Sequence, residues 1–198
     1  LTKVFTWYLG DIIFKNKTND VKNTVYVKSV FYNYEDELYN KEELNYNGKL
    51  CMPKMINNIC GYMNRTKMCI DILSEIMQEE HRKVLILSDR REHLKIIDLY
   101  LEKLDYTKGF YIGGMKQKDL NISETKQIIL GTYSMSSEAL DIPELNTLLL
   151  MSPKSDIEQT IGRILRKQHI INPFIIDIVD TFGPFKRQYL KREKFYKQ

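Results

Sequence analysis

KVLILSDRREHLKIIDLYLEKL, residues 83–104, decides the fold. Its first six residues form a short apolar run ending at Ser88, which suits a strand buried on both faces. Asp89 and Arg90 interrupt the run. From Arg91 the apolar residues Leu94, Ile97, Leu101 and Leu104 return at spacings of three and four, the pattern of an amphipathic helix. The same alternation continues downstream. GFYIGG (109–114) is a strand ending in a turn, and KQIILGTY (126–133) and NTLLLMS (146–152) are strands. DIEQTIGRILRKQ (156–168) is a helix, PFIIDIVD (173–180) a strand, and GPFKRQYLKREKFYK (183–197) a closing helix. Continuous apolar strands alternating with helices predict an α/β fold, a parallel sheet with helices on both faces.

Upstream the texture differs. Residues 1–15, rich in apolar side chains, read as a short helix running into an apolar segment, followed by a polar turn at 15–23. TVYVKSVFYN (24–33) is β-branched and aromatic and suits a strand. Residues 35–49 are acidic and Asn-rich, a loop or insertion. From Pro53 to about Gln78 the apolar positions recur at helical spacing, with a break at Asn64-Arg65 that predicts two helices.

The composition excludes several classes. The chain has 198 residues, 43% of them apolar, enough for a packed core. The net charge of +4 is mild, but Lys186 to Lys197 holds six cations against one acid. Such a run contacts phosphates or is simply a solvated helix end. Cys51, Cys60 and Cys69 are odd in number and lack C-x-x-C spacing, which argues against a disulfide framework and a zinc site. No metal ligand set is expected, and free thiols suit an intracellular, reducing compartment. No apolar stretch reaches the roughly 18 residues of a membrane span. Trp7 reads as a core residue or a base-stacking platform, and His81, His93 and His169 are scattered.

Three groups of residues carry chemistry. On the helix after Asp156, Gln159, Arg163 and Arg166 fall within about 60° of one another, opposite Ile157, Ile161 and Ile164. Two arginines on one face call for an anion, and guanidinium forks match phosphate oxygens. Gly162 inside this helix costs about 1 kcal/mol relative to Ala and so marks the close approach of another group. The second group is ILGTYSMSSEALDIPELNTLLL (129–150), where a strand ends at Thr132. A small-residue loop with Ser134, Ser136 and Ser137 follows, then Asp141. The third is Ser88, Arg90 and Arg91, just past a strand's C-terminal end, where α/β sheets place ligand contacts.

In their order and spacing these groups resemble motifs VI, V and IV of the second RecA-like domain of superfamily 2 helicases and translocases. The opening residues resemble the segment after motif III in the branch with poxvirus-type transcription helicases and repair helicases. The resemblance implies that Arg166 is the arginine finger and that Arg163 is its catalytic companion. It implies that Gln159, Gly162 and Asp141 face ATP, and that Ser88, Arg90, Thr132 and Ser134 line a nucleic-acid track. Many relatives carry Gly where this chain has Ala139. The chain has no G-x-x-x-x-G-K-[ST] phosphate loop and no D-E-x-H box, so ATP and Mg²⁺ are expected to be held mainly by an N-terminal RecA-like domain of the same polypeptide. Residues 1–23 are then the segment following that domain, 24–80 a lead-in, and 81–198 the C-terminal RecA-like domain. The fragment alone is expected to bind no cofactor and to be inactive. DNA is the expected nucleic acid, with no membrane partner. The Lys-, Asn- and Ile-rich composition suggests an AT-rich genome, and with the branch resemblance a large DNA virus, acting in host cytoplasm or virion. A double-stranded DNA translocase and a non-catalytic nucleic-acid-binding module remain as alternatives.

Overall fold

A computed structural model describes residues 14–17, 24–138, 140–164 and 169–197. Among the described residues seven strands form one sheet: β1 (Phe14–Lys17), β2 (Thr24–Tyr32), β3 (Val84–Ser88), β4 (Lys108–Tyr111), β5 (Ile128–Thr132), β6 (Thr147–Leu150) and β7 (Phe174–Asp180). Their order is β1-β2-β7-β6-β3-β5-β4. Six strands are parallel, and β1 pairs antiparallel to β2 at one edge. The described helices are α1 (Met52–Gly61), α2 (Met63–Ile76), α3 (Arg91–Leu101), α4 (Gln117–Glu124), α5 (Tyr133–Glu138), α6 (Glu158–Ile164) and α7 (Gly183–Tyr196).

The two-residue period of the strands sorts the core into two layers. Leu85, Leu87, Ile129, Leu148, Leu150 and Ile175 point to one face and meet Leu120 of α4, Tyr133 of α5, Ile161 of α6 and Tyr196 of α7. Val84, Ile86, Ile128, Leu130, Leu149 and Ile176 point to the other and meet Ile70, Leu73 and Ile76 of α2 and Leu94, Ile97 and Leu101 of α3. Every residue of β3, β5, β6 and β7 is buried, which explains why these strands are predominantly apolar, with Asp177 and Asp180 the acidic exceptions in β7.

Several expectations change. Residues 1–13, including Trp7, lie outside the described residues, while Phe14–Lys17, expected to end the apolar segment and begin the polar turn, is a strand. The lead-in 24–80 joins the same sheet and core: β2 pairs with β7, and α2 supplies part of the core. The helix break falls at Tyr62, one residue in extended conformation, not at Asn64-Arg65. Arg65 instead sits inside α2 and is fully buried. Its Nε and Nη2 donate to the two Asp180 carboxylate oxygens at 2.7 and 2.8 Å, and Nη1 donates to the Met151 carbonyl at 2.6 Å. The Tyr39 hydroxyl donates to the same carboxylate at 2.5 Å. This buried pair joins α2 and the loop between β2 and α1 to the ends of β6 and β7. Helix α4 was not foreseen. It lies close to β4 because Gly109 has no side chain: a Cβ there would sit 2.9 Å from the Ser123 Cα.

Candidate functional site

From β3 the chain moves to β4 and β5 on one side, and from β6 to β7 on the other. It therefore reverses direction between the neighbours β3 and β6. In open α/β sheets the crevice outside such a reversal, at the C-terminal strand ends, is where ligands bind. A cleft of about 350 Å³ opens there. The turn after β3 contributes Asp89 and α3 its first residue, Arg91; the end of β5 contributes Thr132, and α5 contributes Tyr133, Ser134 and Ser137. The loop after β6 contributes Lys154 and Asp156, and α6 contributes Gln159 and Thr160. Residues from all three sequence groups thus meet in one crevice.

Backbone hydrogen bonding fixes the walls. The Asp89 amide donates to Ser152 Oγ at 2.8 Å, clasping the loops after β3 and β6. Tyr133 donates its hydroxyl to the Ser152 carbonyl at 2.7 Å, and Lys154 Nζ lies 5.5 Å from the centre of the Tyr133 ring. The same ammonium is 3.6 Å from Asp89 Oδ1, a loose ion pair. Arg91 is exposed at the head of α3, and a Cβ on Gly113 would lie 3.0 Å from its Nη2, so the glycine makes room for the guanidinium. Two cations and a set of hydroxyls facing one crevice suit phosphate oxygens.

Of the residues expected on the nucleic-acid track, Thr132 and Ser134 share the cleft, with hydroxyls 3.3 Å apart. Ser88 does not: it is fully buried, and its oxygen lies 3.0 Å from His93 Nδ1 and accepts from the Arg90 amide at 3.2 Å. Arg90 also points elsewhere. Its guanidinium donates to Asn57 Oδ1 at 2.5 Å and to the Pro53 carbonyl at 3.1 Å, tying the loop to the start of α1. The neighbour Arg91 takes the place in the cleft. Ser136 is buried and donates to the Tyr133 carbonyl at 2.9 Å.

Along α6, Ile157, Thr160 and Ile161 are buried, while Gln159 and Gly162 are exposed. Nothing lies within 4 Å of where a Gly162 Cβ would be, so no group among the described residues accounts for the glycine by close approach. Arg163 belongs to α6, but its side chain is not among the described ones, and Arg166 and Ala139 lie outside the described residues. Asp141 is exposed on the loop leading to β6 and is not part of the cleft lining.

Sequence reading passed over Lys154, Asp156 and His93. The signal for the first two was their position just past the end of β6, the same rule that singled out Arg90 and Arg91. His93 is buried between Ser88 and Thr66, whose Oγ1 is 3.2 Å from Nε2. Burial, and secondarily the Arg65 charge, push its pKa down to about 3, so the ring is neutral. Among the described residues no group of three His, Cys, Asp or Glu is placed to hold a metal ion, and no helix is long and apolar enough to cross a membrane.

Residues 65–168 match the family described as the helicase conserved C-terminal domain. A protein of Acanthamoeba polyphaga mimivirus that carries the name of an ATP-dependent RNA helicase is 37% identical over 212 residues. That alignment takes in 99% of this chain but 39% of the mimivirus protein, so the chain spans well under half of that relative's length. Among solved structures, bacteriophage T4 UvsW superposes with a TM-score of 0.65 over 87% of this chain and 39% of its own, at 24% identity. The helicase domain of Pyrococcus furiosus Hef does so with a TM-score of 0.51 over 72% of this chain and 32% of its own, at 19% identity. At these identities the structural likenesses establish the fold.

Proposed function

Since the chain belongs to the helicase conserved C-terminal domain family, as the second RecA-like domain of a superfamily 2 protein, we propose that it works as one half of an ATP-driven nucleic-acid motor. Its partner is an N-terminal RecA-like domain of the same polypeptide. The observation that carries the reading is the division of α6. One side buries Ile157, Thr160 and Ile161, and the other turns Gln159 and Gly162 outward beside the crevice. In the sequence Arg163 and Arg166 follow Gln159 by four and seven positions, the spacing of residues that share one helix face.

The residues fit an anionic nucleotide presented from outside the chain. Gln159 is exposed, and none of the described residues lies within 4 Å of where a Gly162 Cβ would be. When bound, ATP with Mg²⁺ supplies the transferable γ-phosphoryl group. This chain contributes Gln159 and Gly162 as the contact surface, Asp141 as a polar contact at its rim, and Arg163 and Arg166 as the charges. Arg166 is the arginine finger, stabilising charge that develops during transfer. The nucleic-acid track runs through the crevice, where Thr132 and Ser134 offer hydroxyls and Arg91 and Lys154 offer charge. Arg90 and Ser88 support this track indirectly, the first by holding α1 and the second by capping its own loop.

DNA is the proposed nucleic acid. RNA is the second reading, favoured by the name that the mimivirus relative carries. The test is ATP turnover by the full-length protein with and without single-stranded DNA or RNA, paired with displacement of a labelled strand. The reading expects stimulated turnover of about 1 per second or more together with displacement. Stimulated turnover without displacement identifies a translocase. Binding without turnover identifies a non-catalytic module and overturns the motor reading.

A further inference from the structure

Helix α7 carries a charge that the crevice does not use. From Gly183 to its C-terminal cap Lys197 the segment holds Lys186, Arg187, Lys191, Arg192, Lys194 and Lys197 against the one acid Glu193. That is a net +5 on one helix of a chain whose total is +4, so the rest of the chain is close to neutral. The charge is also one-sided. Lys186, Arg187, Lys191, Lys194 and Lys197 are all exposed, and at 100° per residue they fall within an arc of about 140°. Phe185, Tyr189, Arg192 and Tyr196 are buried on the opposite side. Of the five exposed cations, Lys197 is ion-paired, to Glu193 at 2.8 Å. No carboxylate among the described residues lies within salt-bridge distance of the other four.

The buried side fixes where this face sits. Arg192 Nε donates to Asp177 Oδ2 at 2.8 Å, the Tyr196 hydroxyl donates to the same oxygen at 3.0 Å, and Arg192 Nη1 donates to the Lys154 carbonyl. Lys154 is the cation on the crevice wall. The helix therefore abuts, through its buried side, the loop that carries a crevice lysine, and its cationic face lies on the opposite, solvent side of the helix.

We propose that the exposed face of α7 is a second contact for nucleic-acid phosphates, lengthening the track beyond the crevice. This rests on the reading of the crevice as a nucleic-acid site. An anionic membrane surface fits less well: the helix's apolar side is committed to the core, which leaves Leu190 as the large apolar residue exposed among the lysines.

Each phosphate neutralised by a cation releases counterions and contributes about 0.7 to the slope of log K against log salt on a single strand. Neutralising all four unpaired cations of α7 therefore lowers the slope by up to about 2.8. The experiment titrates the full-length protein with a fluorescent mixed-sequence single strand, as DNA and as RNA, over a range of salt. It compares wild type with Lys186→Gln/Arg187→Gln/Lys191→Gln/Lys194→Gln, with a charge-retaining Lys186→Arg/Lys191→Arg/Lys194→Arg variant, and with Arg91→Ala/Lys154→Ala in the crevice. Thermal melts establish that each is folded. The glutamine variant is expected to lose one unit of slope or more on at least one of the two strands, while the arginine variant keeps the wild-type slope. A smaller loss, with the crevice variant still reducing the slope, overturns the α7 contact and leaves the crevice reading intact. A normal slope in the crevice variant alone fails the crevice reading and leaves α7. Capture of phosphatidylserine vesicles that the glutamine substitutions abolish, with an unchanged nucleic-acid slope, overturns the proposal in favour of a membrane contact.

Discussion

Replacing Arg65 by Met removes a buried charge without opening a large cavity. The wild-type side chain is fully buried and makes three hydrogen bonds, two to Asp180 and one to the Met151 carbonyl. In Arg65→Met the Asp180 carboxylate keeps the Tyr39 hydroxyl but loses its counter-charge, and the Met151 carbonyl loses its donor. Breaking a buried pair from one side costs about 3–5 kcal/mol. Against a total stability of about 5–15 kcal/mol that is a large fraction. Adding Asp180→Asn removes the stranded charge, so the double variant recovers about 2 kcal/mol relative to the sum of the singles. The assay is urea unfolding followed by circular dichroism, reading the midpoint at constant slope. An Arg65→Met cost below about 1 kcal/mol, or a double variant no better than additive, would refute the claim that this pair clamps α2 to β6 and β7.

Three other outcomes follow from the geometry. His93 is held neutral with its pKa pushed down to about 3, so below its ordinary value near 6.5 the unfolded chain binds a proton that the folded one refuses. Stability from this group is then full above pH 6.5 and falls as pH drops toward 3. Between pH 6.5 and 5 the loss is about 2 kcal/mol, and unfolding of His93→Gln at the two pH values should lack it; an identical pH dependence rejects the assignment. Gly109→Ala places a Cβ 2.9 Å from the Ser123 Cα and should cost about 1–3 kcal/mol by pushing α4 from β4; a neutral result in the same unfolding assay contradicts that packing. Arg90→Ala should lower the melting temperature with little change in the salt slope of nucleic-acid binding, because its guanidinium holds Asn57 and Pro53. A slope reduction as large as that of Arg91→Ala would place Arg90 on the track after all.

The sheet was legible because burial on both faces forces apolar runs such as Val84–Leu87 and, broken only by Asp177, Phe174–Val179, and these stand out in any sequence. The crevice was legible in part, since the ends of β3 and β5 are where ligand contacts gather, and Thr132, Ser134 and Gln159 do line it. What stayed hidden depends on partners distant in the chain. Arg65 resembles a surface residue until Asp180, 115 positions away, accepts from two of its three guanidinium nitrogens. Ser88 resembles a phosphate ligand until His93 turns toward it from α3. Arg90 and Arg91 are adjacent and chemically alike, and only the placement of α1 decides which one faces the crevice. Helix α4 escaped notice because Gln117–Glu124 buries only Leu120 and Ser123 and so lacks an apolar stripe.

The central claim is that this chain supplies the finger for ATP bound by another domain, and the most direct measurement is ATP turnover by the full-length protein carrying Arg166→Ala. If Arg166 meets charge that develops only in the transition state, kcat falls on the order of 10³-fold or more while KM for ATP, nucleic-acid affinity and melting temperature stay near wild type. A kcat within about threefold of wild type, or loss of the fold itself, would contradict the account and make the outward face of α6 structural.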